Sequence, residues 1–176
     1  MTKLPILGIV AAGSNAGKTT VITNLLPALA KQNIRVSVIK HAHHKFDIDH
    51  PGKDSYQIRE AGAVQTLIAS GKRWALMTEM FRTPEHKDEA NLDALVAQLN
   101  TDYADLILVE GFKQTKIPKI EIYRPSLNLP LLADTDPTII AVACDETITC
   151  SKPLLALNDT QALCKFIIHW IQQHHD

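Results

Sequence analysis

Residues 12–20 read AGSNAGKTT, and these are the residue types that gather phosphate. They match the pattern GxxxxGK[ST] at Gly17, Lys18 and Thr19. Ala12 stands where the leading glycine belongs, and Gly13 follows one place later. A bare GK[ST] would turn up in about one chain in ten of this length. The setting gives it weight: a continuous apolar run comes before it and a helical pattern after it. Small or short residues at Gly13, Ser14, Asn15, Ala16 and Gly17 let main-chain N–H groups converge on phosphate oxygens. Such a loop hands those oxygens to the positive end of the next helix. Lys18 offers a point charge to the β- and γ-phosphates. The Thr19 hydroxyl suits Mg²⁺, a hard ion that prefers oxygen. Thr20 is placed for the α-phosphate, with an ordinary first-turn threonine as the plainer alternative.

A phosphate loop needs a second acidic group for the metal. DLILVEG at 105–111 carries Glu110 to the end of a buried strand, where an open parallel sheet binds ligands. Lys18 and Glu110 are therefore assigned to catalysis, and Thr19, Glu110 and Asp49 to the metal. Gly111 leaves room for a γ-phosphate contact. The alternative for Glu110 is an ordinary strand-end acid. Asp49 lies in a polar stretch with His41, His43, His44, His50 and Asp47. We read that stretch as a loop that carries Asp47 or Asp49 to Mg²⁺ and presents imidazoles to a substrate or partner. Its alternatives are a zinc site and a plain solvated loop. Asp145 ends the last buried strand and can accept bonds from guanine N1–H and the 2-amino group, a donor pair that adenine lacks. A turn or helix cap is the equal alternative. No NKxD guanine motif is present.

These groups need elements to position them. The run at 6–11 reads as a fully buried strand. Val21, Ile22, Leu25, Leu26 and Leu29 follow with helical spacing; Pro27 should kink that helix and Asn33 should stop it. A second strand covers 34–39. Asp54 and Gln57 resemble a capping box for a short helix that Gly62 closes. Short strands are expected at 64–70 and 73–77, an amphipathic helix around Leu92–Leu99, and buried strands at 106–109 and 138–143. A half-exposed alternating strand is expected at 119–123. The last helix presents Leu163, Phe166, Ile167 and Trp170. Strands alternating with helices predict a three-layer α/β/α fold with a mostly parallel sheet.

With 176 residues, the chain reads as a single nucleotide-binding domain over 1–176, with a small β-rich lobe within 64–80 and 112–130. Eighteen basic residues against 19 acidic ones leave no excess for nucleic acid. No apolar run reaches the ~20 residues of a membrane span, and the first residues make no convincing signal peptide. Cys144, Cys150 and Cys164 form no CxxC pair, so free buried thiols in a reducing cytoplasm are expected. Lys113, Lys116 and Lys119 either meet an anionic phosphate or form a solvated basic face. No arginine finger is evident. Arg73 acting across a dimer is the candidate, with a surface charge as the plainer alternative, so slow intrinsic turnover is expected.

The order AGSNAGKTT, VIKHAHHKFDIDHPGKDSYQIREAGA, ASGKRWALMTE, DLILVEGFK, PKIEIYR and IIAVACDE resembles the molybdopterin-guanine dinucleotide biosynthesis adaptor family, MobB. The His-rich stretch ending in PGKDS is its most specific element, and Ala12 at the leading glycine is tolerated there. The resemblance implies a cytoplasmic P-loop protein of the signal-recognition and dethiobiotin-synthetase-like branch. It further implies a homodimer that binds GTP and Mg²⁺ and has weak GTPase activity. Such a protein assists the (MobA-like) guanylyltransferase that attaches GMP to molybdopterin, and molybdopterin is itself a candidate ligand. On the same resemblance residues 13–20 hold the triphosphate, Thr19 and Glu110 serve Mg²⁺, and 41–54 form a switch-like surface. Two rivals stand beside it: an ATP-dependent small-molecule kinase or ligase of the same branch, and a non-catalytic module that binds pterin or delivers metal.

Overall fold

The computed structural model describes residues 4–42, 46–85 and 89–173. They form two compact units: Met1–His41 with Leu92–Asp176, and Ala42–Asn91.

The first unit is built on a six-stranded sheet. Its strands are β1 (Ile6–Val10), β2 (Val36–Lys40), β5 (Leu106–Glu110), β6 (Lys119–Tyr123), β7 (Ile139–Cys144) and β8 (Leu154–Ala156). Their order is β2-β5-β1-β6-β7-β8, and every pairing is parallel. β1, β5 and β7 are apolar on both faces because both are covered. Leu7, Ile9, Leu106 and Leu108 pack on α1 (Lys18–Ala30) and α4 (Thr160–Gln173), against Leu25, Leu29, Leu163 and Ile167. On the opposite face Ile39, Ile107 and Val109 meet Leu92 of the short helix α3 (Leu92–Val96). Helix α1 runs through Pro27 to Ala30. It stops as expected: Asn33 takes a left-handed φ of 59° and the Ile34 N–H turns back to Leu29 O at 3.1 Å.

Two expectations fail at β6. The strand is not half-exposed; it is buried between β1 and β7, so residues 112–130 belong to the first unit rather than to a small lobe. The Lys119 and Glu121 side chains suggested an outward face, yet both lie inside with dedicated partners. Lys119, 1% exposed, donates through Nζ to Asp136 Oδ2 at 2.8 Å and to Thr138 Oγ1 at 2.6 Å. Gly8 on β1 makes room for the lysine stem: a Cβ there would meet Lys119 Cγ at 2.9 Å. The Glu121 carboxylate accepts from the N–H groups of Leu132 and Ala133, both at 2.8 Å. Burial pushes its carboxyl above the usual carboxylate range, against the pull of those two bonds. The proposed lysine cluster dissolves in consequence, since only Lys113 and Lys116 are exposed.

The second unit holds α2 (Asp54–Glu60) and an antiparallel hairpin of β3 (Gln65–Ala69) and β4 (Trp74–Thr78). The expected capping box does not form. Lys53 is the N-cap, without a side-chain bond, and Asp54 is already helical. Gly62 closes the helix at φ 121°. Arg59 organises this unit. It pairs with Asp47 at 2.6 Å and Glu79 at 3.3 Å, while Arg82 donates to the carbonyls of Arg59 and Ala63. Leu67 faces Leu76 and Ala69 faces Trp74. Leu67 and Trp74 stay 61% and 63% exposed.

Cys144 and Cys164 are buried, Cys150 is half-buried, and all three thiols are free. Among the described residues no helix is long and apolar enough to cross a membrane.

Glu121→Gln puts an amide nitrogen where a carboxylate oxygen accepted an N–H. The substitution should cost roughly 1–3 kcal/mol, read as a lowered urea midpoint with an unchanged slope.

Candidate functional site

Because the sheet is parallel, the residues after β1, β2, β5, β6 and β7 share one edge. Residues 12–17 cross that edge between β1 and α1. Gly17 enters the helix at φ 99°, ψ 18°, with no side-chain cap. This left-handed conformation is the reason the position needs glycine. The first intrahelical bond is Val21 N–H to Gly17 O at 2.9 Å. The amides of Lys18, Thr19 and Thr20 thus precede any intrahelical partner and carry the positive end of the helix dipole. Ala16 is buried, while Ser14 and Asn15 face outward.

Cationic side chains surround this loop. Lys18 folds back to donate to Gly13 O at 3.0 Å, and Lys113 donates to Ala12 O at 3.1 Å. Arg124 donates through Nε to Ala16 O at 3.0 Å. Lys40, ending β2, reaches Thr19 Oγ1 at 3.3 Å and Glu110 Oε1 at 3.4 Å. Burial lowers the Lys18 pKa; Glu110 opposes that shift, and Lys113 and Lys40 reinforce it. The Thr19 hydroxyl donates to Glu110 Oε1 at 2.8 Å, so the two oxygens expected to serve a divalent ion are neighbours. Glu110 is 9% exposed at the end of β5. A hard cation fits this pair: one hydroxyl and one carboxylate oxygen, with a lysine already drawn to them.

The turn after Glu110 is tightly specified. The Gly111 N–H bonds Ile9 O at 3.1 Å and the His41 N–H bonds Glu110 O at 2.9 Å. Gly111 has φ 90°, and a Cβ there would lie 3.0 Å from His41 Cβ. Its bareness is therefore used by the His41 side chain. Phe112 also sits at positive φ, 54°, and stacks on His41 with centroids 4.5 Å apart.

Asp145 follows β7 and pairs with Arg124. Thr20 is exposed at the first turn of α1. Asp49 lies in the second unit, buried, with Oδ1 accepting from His50 N–H at 3.0 Å and Ser55 Oγ at 3.1 Å. Its Oδ2 is buried with no hydrogen-bond partner among the described residues. His50 is exposed, and Arg73 is exposed at the hairpin turn. His43 and His44 lie outside the described residues. Among those that are described, no group of three or more His, Cys, Asp or Glu could hold a metal ion. Three participants escaped the sequence reading. Lys40 lies just past the strand expected at 34–39 and was given no role, Lys113 was grouped with the wrong lysines, and Arg124 closes PKIEIYR without a role assigned to it.

The family model described as "MobB: Molybdopterin guanine dinucleotide synthesis protein B" matches residues 6–145. The chain is 45% identical to the "Molybdopterin-guanine dinucleotide biosynthesis adapter protein" of Escherichia coli, over 99% of this chain and 97% of that one. It is 41% identical to the protein of the same name from Haemophilus influenzae, over 98% and 93%. A crystal structure of "molybdopterin-guanine biosynthesis protein B (mobB)" superposes with a TM-score of 0.70 at 27% identity, covering 94% of this chain and 99% of that one.

Gly111→Ala should strain the turn that carries Glu110 and push against His41. The expected loss is roughly 1–3 kcal/mol of stability in a denaturant titration.

Proposed function

The chain belongs to the MobB family, molybdopterin guanine dinucleotide synthesis protein B, and from that premise we propose that it is a GTP-binding adapter in molybdopterin-guanine dinucleotide biosynthesis. The observation that carries the reading is the Thr19–Glu110 contact at 2.8 Å beside a glycine loop whose helix starts uncapped. In this reading Gly13, Ser14, Asn15, Ala16, Gly17, Lys18, Thr19 and Thr20 hold the triphosphate, and Asp145 reads guanine. Thr19 and Glu110 hold Mg²⁺. Asp49, in the second unit, is the further metal candidate. The ion, when bound, neutralises charge on the phosphate oxygens.

The chain's own residues do the rest. Lys18 leaves the Gly13 carbonyl for the β- and γ-phosphates, whose negative charge opposes the lowering of its pKa by burial. Main-chain amides hold negative charge that grows on the oxygens as water attacks the γ-phosphate in line. Glu110 keeps Thr19 oriented. Turnover is slow, because Arg124 is engaged by Ala16 and Asp145. The partner is a guanylyltransferase of the MobA-like kind.

We further read the chain as a homodimer, with a second copy covering the apolar hairpin face of Leu67, Leu76 and Trp74. Sedimentation equilibrium should return twice the 19.5 kDa chain mass; a monomer at micromolar concentration contradicts this part.

Calorimetric titration with Mg²⁺ should show GTP binding at least about tenfold tighter than ATP. Asp145→Ala should remove most of that preference, and Lys18→Ala should weaken both nucleotides. Equal affinities in the wild type would overturn guanine selectivity.

A further inference from the structure

We propose that Arg124 is the positioning residue for base selectivity, holding the Asp145 carboxylate at a fixed place relative to the phosphate loop. The inference rests on the nucleotide reading above and deepens it.

Strand β6 neighbours β1 on one side and β7 on the other, and Tyr123 is in register with Cys144. The residues that follow, Arg124 and Asp145, therefore leave the sheet side by side. Arg124 crosses from the end of β6 to the loop after β1. Its Nε donates to Ala16 O at 3.0 Å, a contact spanning 108 residues of sequence. Through Nη1 the same guanidinium donates to Asp145 Oδ2. A Cβ placed on Gly17 would lie 3.6 Å from Nη2, so the fork lies directly against the left-handed residue that opens α1. The arginine side chain is about one third exposed and the Asp145 side chain about one fifth.

Guanidinium is planar and rigid, so two of its donors cannot move independently. Anchoring Nε on a loop carbonyl fixes where Nη1 points, and Nη1 fixes Asp145. A base reader needs such a ruler. The distance from phosphate to base is set by the nucleotide, and guanine presents N1–H and its 2-amino group as a coplanar pair. A carboxylate tied to Arg124 at Oδ2 keeps Oδ1 and the remaining lone pairs of Oδ2 for that pair. Without the tie, Asp145 is an acid at a strand end, free to turn towards water. Lysine cannot replace the fork, because one ammonium on a flexible stem does not hold a carbonyl and a carboxylate in one plane.

The test is calorimetric titration of wild type, Arg124→Ala and Arg124→Lys with Mg²⁺ and GTP, ATP or inorganic tripolyphosphate. Thermal melts check that each variant is folded. Wild type should favour GTP over ATP. Both variants should lose that ratio by roughly tenfold or more, the scale of one misplaced hydrogen bond. Arg124→Lys should keep tripolyphosphate affinity close to wild type, which separates orientation from charge. If GTP and ATP weaken by the same factor in both variants, or if lysine restores the ratio, Arg124 acts only as a brace or a charge and the inference is overturned. If wild type binds both nucleotides equally, it is overturned as well. A wild type that binds neither tripolyphosphate nor GTP would remove the phosphate-loop reading itself, and the inference with it.

Discussion

Four cations crowd one short loop, and the cost of keeping them together shapes this site. Lys18, Lys113 and Arg124 each donate to a different loop carbonyl, those of Gly13, Ala12 and Ala16. Lys40 stands at the first turn of the helix beyond. Against them the edge sets two carboxylates, Glu110 and Asp145. The excess is positive, and the uncapped amides of α1 add to it. Burial and the neighbouring lysines lower the Lys18 pKa. In the proposed reading a bound polyanion relieves that positive excess. The carbonyls of Gly13 and Ala12 are in that reading temporary partners of Lys18 and Lys113, while Arg124 keeps its hold on Ala16.

The sheet makes the crowding possible. Parallel strands put the ends of β1, β2, β5, β6 and β7 on one edge, so residues far apart in sequence meet there without long excursions. The arrangement has to be stiff, and buried polar anchors supply stiffness away from the edge. Lys119 and Glu121 fasten the centre strand β6 to the segments around Asp136 and Leu132. β6 then carries Arg124 to the phosphate loop. A shift in that strand would move the guanidinium and whatever it holds.

Much of this was legible in the sequence, and the exceptions are physical. β1, β5 and β7 are apolar on both faces, so their runs are continuous and their ends mark the edge. The loop, Thr19 and Glu110 could be found because their types are rare in combination and sit between recognisable elements. The Asn33 stop follows from one residue's tolerance of the left-handed region. β6 was misread because Lys119 and Glu121 are charged, and only the folded chain provides the Asp136, Thr138 and main-chain partners that make their burial tolerable. β8 is three residues long and leaves no periodic trace. Arg124 was invisible for a different reason. Its meaning lies in two contacts, to Ala16 and Asp145, that exist only after β1, β6 and β7 are side by side.

Main-chain amides at the start of α1 are the central claim, and they can be watched one by one. In an amide-resolved NMR titration with Mg²⁺ and a non-hydrolysable guanosine triphosphate, the largest shifts should fall on Gly17, Lys18, Thr19 and Thr20, with saturation. Saturable binding that leaves those four signals in place and moves others instead would contradict the account.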